Sequence, residues 1–261
     1  MYHNIGESRT GGDPSLTISS AQFELQLKRL RRFRFSSIRP SMWLDWITKG
    51  APLPPRPVLL TFDDGFADTA RYGFPLLKKY GFTAIMFVVT SAIGGSNEWD
   101  EALGWVSQPL MTADEIRRWS REGIEFGSHT HTHPDLRELT VKQMREELCK
   151  SRDALAALID QPVECFAYPF GYYNETVVDM TRQVFRTAFT CDEGLNSGDV
   201  DALRLRRSMV VPEHAMFDPL LHVSIGFNPL PGLRRAGVGT WRHLKSVGRR
   251  LASNLGNVDG E

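Results

Sequence analysis

The chain has 261 residues, 31 basic and 31 acidic side chains and a formal net charge of zero, with 41% hydrophobic and 10% aromatic residues. That is enough apolar material for one α/β domain with a large core and requires no second domain. Neutrality argues against a protein whose main task is to coat nucleic acid. Cys149, Cys165 and Cys191 are odd in number and widely spaced, which implies no disulfide framework and fits buried thiols in a reducing compartment. No stretch is long and apolar enough to span a bilayer, and residues 1–7 lack a basic-then-apolar run, so the expected location is the cytoplasm.

After a Gly/Pro/Ser-rich opening, Ser19 and Gln22 match a capping box, and Phe23, Leu27 and Leu30 fall at helical spacing. This predicts a first helix. Residues 36–38 suggest a short strand and residues 41–47 a second helix ended by Gly50. The proline-rich run 52–57 is an extended lead-in, because each proline removes a donor and disfavours helix before it. It delivers the chain to residues 58–62, an apolar run that reads as a buried strand of a parallel sheet. That run stops at Asp63, Asp64 and Gly65. In such sheets ligands bind at the carboxyl ends of strands, although Asp-Asp-Gly alone also suits a simple turn.

Downstream, residues 72–80 read as a helix stopped by Gly81, and residues 84–89 as a second apolar strand. The spacing supports a right-handed crossover. Residues 94–109 form a long loop bearing Trp99 and Trp105, and Thr112 with Glu115 would cap the next helix. Residues 123–127 make a short strand that runs into Ser128-His129-Thr130-His131-Thr132-His133-Pro134, where three of the seven histidines stand within five residues. A single helical turn would aim His129 and His133 the same way, as in paired-histidine zinc sites, with His131 pointing elsewhere. Because Pro134 prevents a regular helix there, the pair is placed on a turn after the strand. Asp63 or Asp64 supplies a carboxylate ligand if the two strand ends are neighbours. A third cluster, Phe166-Ala167-Tyr168-Pro169-Phe170-Gly171-Tyr172-Tyr173, is an apolar strand with an aromatic turn that suits either a sugar-stacking wall or the core.

Together the three clusters, Thr-Phe-Asp-Asp-Gly, Ser-His-Thr-x-x-His-Pro and Tyr-Pro-Phe-Gly, resemble the polysaccharide deacetylases of carbohydrate esterase family 4. The likeness extends over about residues 1–210 and is strongest toward deacetylases of exopolysaccharide and poly-N-acetylglucosamine, whose third motif also reads Ala-Tyr-Pro-aromatic-Gly. It implies an α/β fold, an irregular (β/α) barrel with mostly parallel central strands. The implied catalytic domain is residues 1–228, with a motif core at about 57–211.

By that resemblance Asp64, His129 and His133 hold one divalent metal, zinc first, with cobalt, nickel, manganese or iron as other candidates. Asp63 would be the general base, the backbone N–H of Phe170 an oxyanion donor, and Thr130 a brace for the histidine turn. Tyr168, Pro169, Phe170, Tyr172 and Trp99 would contact the substrate, an N-acetylated glycan or its precursor, with no nucleic-acid partner. Ala167 stands where many members carry an arginine that orients the base. Arg207 is the candidate replacement, with Arg204 and Arg206 as rivals. The late general acid is His222, in Leu220-Leu221-His222, or His214, while His3 could line the site from the N-terminal segment.

The abrupt beginning suggests a shortened strand or a start placed too late, with export expected only if a leader is missing. Residues 229–261 carry six basic residues beside apolar positions at near-helical spacing. They could form an amphipathic helix that touches an anionic membrane surface, or a solvated tail. The leading function is removal of N-acetyl groups from sugars. A small-amide hydrolase of the same fold and a catalytically weak glycan binder are the alternatives.

Overall fold

The computed structural model describes residues 1–6 and 12–212. Two short parallel pairs flank a larger sheet. Asn4–Ile5 (β1) pairs with Thr17–Ile18 (β2), and Ser36–Ser37 (β3) with Pro57–Val58 (β4). The main sheet contains Thr61–Phe62 (β5), Ile85–Val88 (β6), Glu125–Ser128 (β7), Cys165–Ala167 (β8) and Thr187–Phe189 (β9), all parallel and in sequence order. It is a curled half-barrel. Single bridges continue the ring beyond both edges, from Phe62 to Tyr2 and from Phe189 to Leu205.

Among the described residues six α-helices cover this sheet or plug it: Ser20–Arg32 (α1), Pro40–Lys49 (α2), Phe74–Tyr80 (α3), Ala113–Arg121 (α4), Val141–Ile159 (α5) and Glu175–Arg182 (α6). Their starts are chemically specified. Ser19 with Gln22, Thr112 with Glu115 and Thr140 with Gln143 form reciprocal capping boxes on α1, α4 and α5, each supplying acceptors for otherwise unpaired N–H groups. Gly50 and Gly81 end α2 and α3 at φ 68° and 74°, a left-handed step that glycine takes without a side-chain clash.

Period-two alternation divides the core. Phe62, Met86, Phe126 and Phe166 face the main core, whereas Ile85, Phe87, Cys165, Ala167 and Phe189 point into the half-barrel, where Trp43 and Leu44 of α2 cover them. All three cysteines are free thiols. Among the described residues no helix is long and apolar enough to cross a membrane.

The structure departs from the sequence reading in two of its elements. The expected strand 58–62 is two strands: β4 pairs with β3, and only β5 enters the main sheet. Helix 72–80 begins at Phe74, behind a π-helical turn at Thr69–Gly73. His129 and His133 stand on a turn after β7, where the sequence reading placed them, and that turn is not helical, since Thr130 and His133 both have positive φ, 70° and 62°.

Gly127 of β7 has no room for a side chain. A Cβ there would lie 2.5 Å from Cε1 of the fully buried Phe87 and 3.0 Å from the Cys165 carbonyl oxygen. Gly127→Ala is therefore expected to destabilise the protein by about 1–3 kcal/mol through overpacking, read as a lower urea midpoint. A midpoint equal to wild type contradicts this packing.

Candidate active site

The strand register brings the three motifs to one end of the half-barrel. Phe62 is level with Met86, Val88 with Ser128, and Ser128 with Phe166, so Asp63, His129 and Ala167 follow one another around the rim. The His129 N–H extends the ladder by donating to Val88 O at 2.9 Å, and the Asp63 N–H donates to Tyr2 O at 3.1 Å. Seven described non-glycine residues have positive φ, and four of them, Asp64, Thr130, His133 and Phe170, lie here. Backbone strain concentrated this way marks a functional constraint, because it persists only where the surroundings enforce it.

Asp64, His129 and His133 are buried, with one donor atom from each lying within 4.8 Å of the others. Asp64 Oδ1 is 3.5 Å from His129 Nε2 and 3.6 Å from His133 Nε2. Those separations are long for hydrogen bonds, but ligands about 2.0–2.1 Å from a tetrahedral metal lie about 3.4 Å from one another. His129 Nδ1 is 2.8 Å from the Ala167 carbonyl oxygen. Donation from that nitrogen fixes the tautomer and leaves the Nε2 lone pair free for a cation. Burial lowers the proton affinity of His129, yet Asp64 and Asp63 outweigh it and the net shift is upward. The pocket thus favours positive charge between these three groups, which a divalent cation would supply. The donor set fits such an ion.

Asp63 has a different partner. Arg207 Nη1 and Nη2 donate to Oδ1 and Oδ2 at 2.7 and 2.8 Å, while Nε donates to Thr190 O at 2.9 Å. Both side chains are nearly inaccessible. Burial pushes the Asp63 carboxyl up, but Arg207, helped by His129, overrides it, so the carboxyl is held below its ordinary range. Arg204 and Arg206 do not reach Asp63. Arg204 pairs with Glu175 and Asp201, and Arg206 is exposed. His3 is the third imidazole at the site. Burial lowers its proton affinity and the nearby Asp64 and Asp63 raise it, with a net downward shift. Its backbone is held by Thr69, whose hydroxyl donates to His3 O and accepts from the Ile5 N–H, both at 3.0 Å.

An aromatic wall rises beside His133. Trp99 stacks on its imidazole with ring centres 4.6 Å apart, Phe170 meets it edge-on at 4.5 Å, and Tyr172 follows at 5.7 Å from Phe170. Pro169 and Phe170 belong to a short turn in which Phe170 has φ 60°. The next residue, Gly171, has φ 68°, and a Cβ there would lie 2.5 Å from Cys191 Cβ. Tyr168 does not face this wall. Its ring is fully buried and its hydroxyl donates to Leu203 O at 2.9 Å, because alternation past Ala167 turns it into the main core. His214, His222 and the basic tail lie outside the described residues. The Ala167 carbonyl, Thr69 and Glu147, which binds the histidine loop, carry no spacing signal that sequence reading could use.

A family model for polysaccharide deacetylase matches residues 50–188, more than half of the chain, and the chain belongs to that family. Among relatives, YxkH of Bacillus subtilis (strain 168), named for the same family, is 27% identical over 213 residues, 81% of this chain and 70% of that protein. The poly-beta-1,6-N-acetyl-D-glucosamine N-deacetylase of Staphylococcus aureus (strain MRSA252) is 24% identical over 187 residues, covering 68% of this chain and 62% of the staphylococcal protein. The chain thus spans less than two thirds of that relative. The Streptococcus pyogenes deacetylase PplD, solved with acetate, superposes with a TM-score of 0.71 at 25% identity over 81% of this chain and 91% of that one. IcaB from Ammonifex degensii gives a TM-score of 0.69 at 25% identity over 82% and 91%. The half-barrel is the (β/α) deacetylase fold.

Removing one partner of the buried pair should be costly. Arg207→Met is expected to lower stability by about 3–5 kcal/mol near neutral pH and to move the Asp63 carboxyl from below to above its ordinary range. The sign follows from linkage. A depressed carboxyl stabilises the fold above its unfolded pKa of about 3.9 and loses that contribution as pH falls; a raised one stabilises only while protonated, and loses that as pH rises. The stability gap between wild type and variant should therefore narrow between about pH 7.5 and about pH 4.5 in urea titrations. A gap independent of pH contradicts the pairing.

Proposed function

We propose that this chain is a metal-dependent N-deacetylase that hydrolyses the acetamide of N-acetylated sugars in a glycan or glycan precursor and releases acetate. One observation carries the reading: a buried Asp64–His129–His133 donor set stands beside a second carboxylate, Asp63, that has its own cationic partner. Family membership and the staphylococcal relative's named substrate support the glycan class. A divalent cation held by Asp64, His129 and His133 would supply Lewis acidity toward the amide carbonyl and toward water.

The chain's own residues do the rest. Asp63, kept ionised and fixed in orientation by the Arg207 fork, accepts the proton of the attacking water. The water oxygen bonds to the carbonyl carbon, and the charge that develops on the carbonyl oxygen is met by the backbone N–H of Phe170. The carbon–nitrogen bond then breaks, and the leaving nitrogen takes a proton to become a free amine. The acid for that step is assigned to His222 or His214, which lie outside the described residues; His3, buried close to Asp64 and Asp63, lines the site. Trp99, Phe170 and Tyr172 offer apolar faces for a sugar ring.

The test is acetate release from β-1,6-linked and β-1,4-linked N-acetylglucosamine oligomers and polymers, before and after chelation and after zinc return. Chelation should abolish turnover and zinc restore it. Asp63→Asn should keep zinc yet lose about 10²-fold or more in kcat. Full activity in the chelated protein or in Asp63→Asn contradicts the mechanism.

A further inference from the structure

The His129–His133 loop carries two of the three donor side chains on a backbone that two non-glycine residues bend through positive φ. A conformation of that kind needs outside support. On one side the end of β6 supplies it. The Ser91 N–H donates to His131 O at 2.9 Å, the Thr90 N–H donates to Thr130 O at 3.3 Å, and the Thr90 hydroxyl lies 2.9 Å from His131 Nδ1. These contacts hold carbonyls and one side chain, leaving the loop's own N–H groups to be held from elsewhere.

On the other side stands one carboxylate of α5. Glu147 Oε2 accepts from the N–H groups of both His131 and Thr132, at 2.9 and 2.8 Å, and Oε1 accepts from the Thr132 hydroxyl at 2.8 Å. One helical turn further along, the Ser151 hydroxyl is 2.7 Å from that of Ser128, which accepts from the Thr130 N–H at 3.2 Å. Residues four apart share a helix face, so α5 reaches the loop at two points in the same direction. The peptides between the two imidazoles are thus held between β6 and Glu147.

The geometry points to Glu147 as the positioning residue of the metal centre: its carboxylate, touching neither cation nor substrate, sets the spacing of His129 and His133 by fixing the backbone between them. Groups that orient metal ligands commonly contribute 10- to 100-fold in affinity. This inference rests on reading Asp64, His129 and His133 as ligands.

Its test is zinc affinity by chelator competition and the absorption bands of the cobalt(II)-loaded protein, on the full chain, for wild type, Glu147→Ala, Glu147→Gln and the exposed neighbour Glu146→Ala. Glu147→Ala should bind zinc about 10- to 100-fold more weakly with altered cobalt bands. Glu147→Gln, which keeps an amide oxygen for the two N–H groups, should recover most of the affinity, and Glu146→Ala should match wild type. Metal-free thermal unfolding of each variant separates a local effect from general loss of fold. If Glu147→Ala does not fold, Thr132→Val removes one of the three bonds and should give a smaller loss in the same direction. A folded Glu147→Ala, or failing that a folded Thr132→Val, with wild-type zinc affinity and cobalt bands overturns the proposal alone. A wild-type chain that binds no zinc overturns the metal reading and this proposal with it.

Discussion

Two carboxylates adjacent in the chain, Asp63 at 2% and Asp64 at 6% exposure, cannot both stay ionised inside a protein unless each finds its own compensating charge. Burying an unpaired carboxylate is expensive, and two of them side by side repel as well. Here the neighbours diverge. Asp63 meets the fork of Arg207, which arrives 144 residues later, and Asp64 meets the imidazoles of His129 and His133. Much of the architecture around the rim serves that division. Parallel register delivers the histidines beside the aspartates, and the bridge from Phe189 to Leu205 brings Arg207 to the same end of the half-barrel.

The division also assigns different chemistry to the two groups. A carboxylate locked by two charge-assisted hydrogen bonds is oriented and ionised, suited to receive a proton from a fixed direction. A carboxylate faced by the Nε2 atoms of two imidazoles, one of which turns its Nδ1 to the Ala167 carbonyl, is suited to share a cation. The strained backbone at Asp64, Thr130, His133 and Phe170 is the cost of bringing these atoms together. The packed core behind them and the loop contacts from α5 and β6 offset it.

How much of this could be read from the chain depends on whether the signal was local. Asp63, Asp64, His129 and His133 stand out because their residue types cluster in short motifs at strand ends. Arg207 could be singled out because Ala167 leaves a position where an arginine is expected, although nothing local separates it from Arg204 and Arg206. The structure does, by exposing Arg206 and pairing Arg204 with Glu175. The turn after the strand, expected for the histidines because Pro134 bars a regular helix, is what forms; the left-handed kink at Thr130 that converges the two side chains leaves no mark in their four-residue spacing. Tyr168 misled for a simpler reason: an aromatic in a motif is still subject to strand alternation, and this one turns into the core. The split of the expected strand 58–62 reflects pairing with β3, a partner that no local pattern names. Glu147 and Thr69 act on backbone groups distant in sequence, which leaves no periodicity to detect.

The central claim is that one cation belongs between Asp64, His129 and His133 while Asp63 stays outside its coordination. Anomalous diffraction at the zinc edge from crystals of the zinc-loaded chain measures this directly. The account predicts one strong peak about 2.0–2.2 Å from one Asp64 oxygen and from Nε2 of both histidines, with Asp63 still paired to Arg207. A peak coordinated by Asp63, or none at this site in crystals grown with zinc, would contradict it.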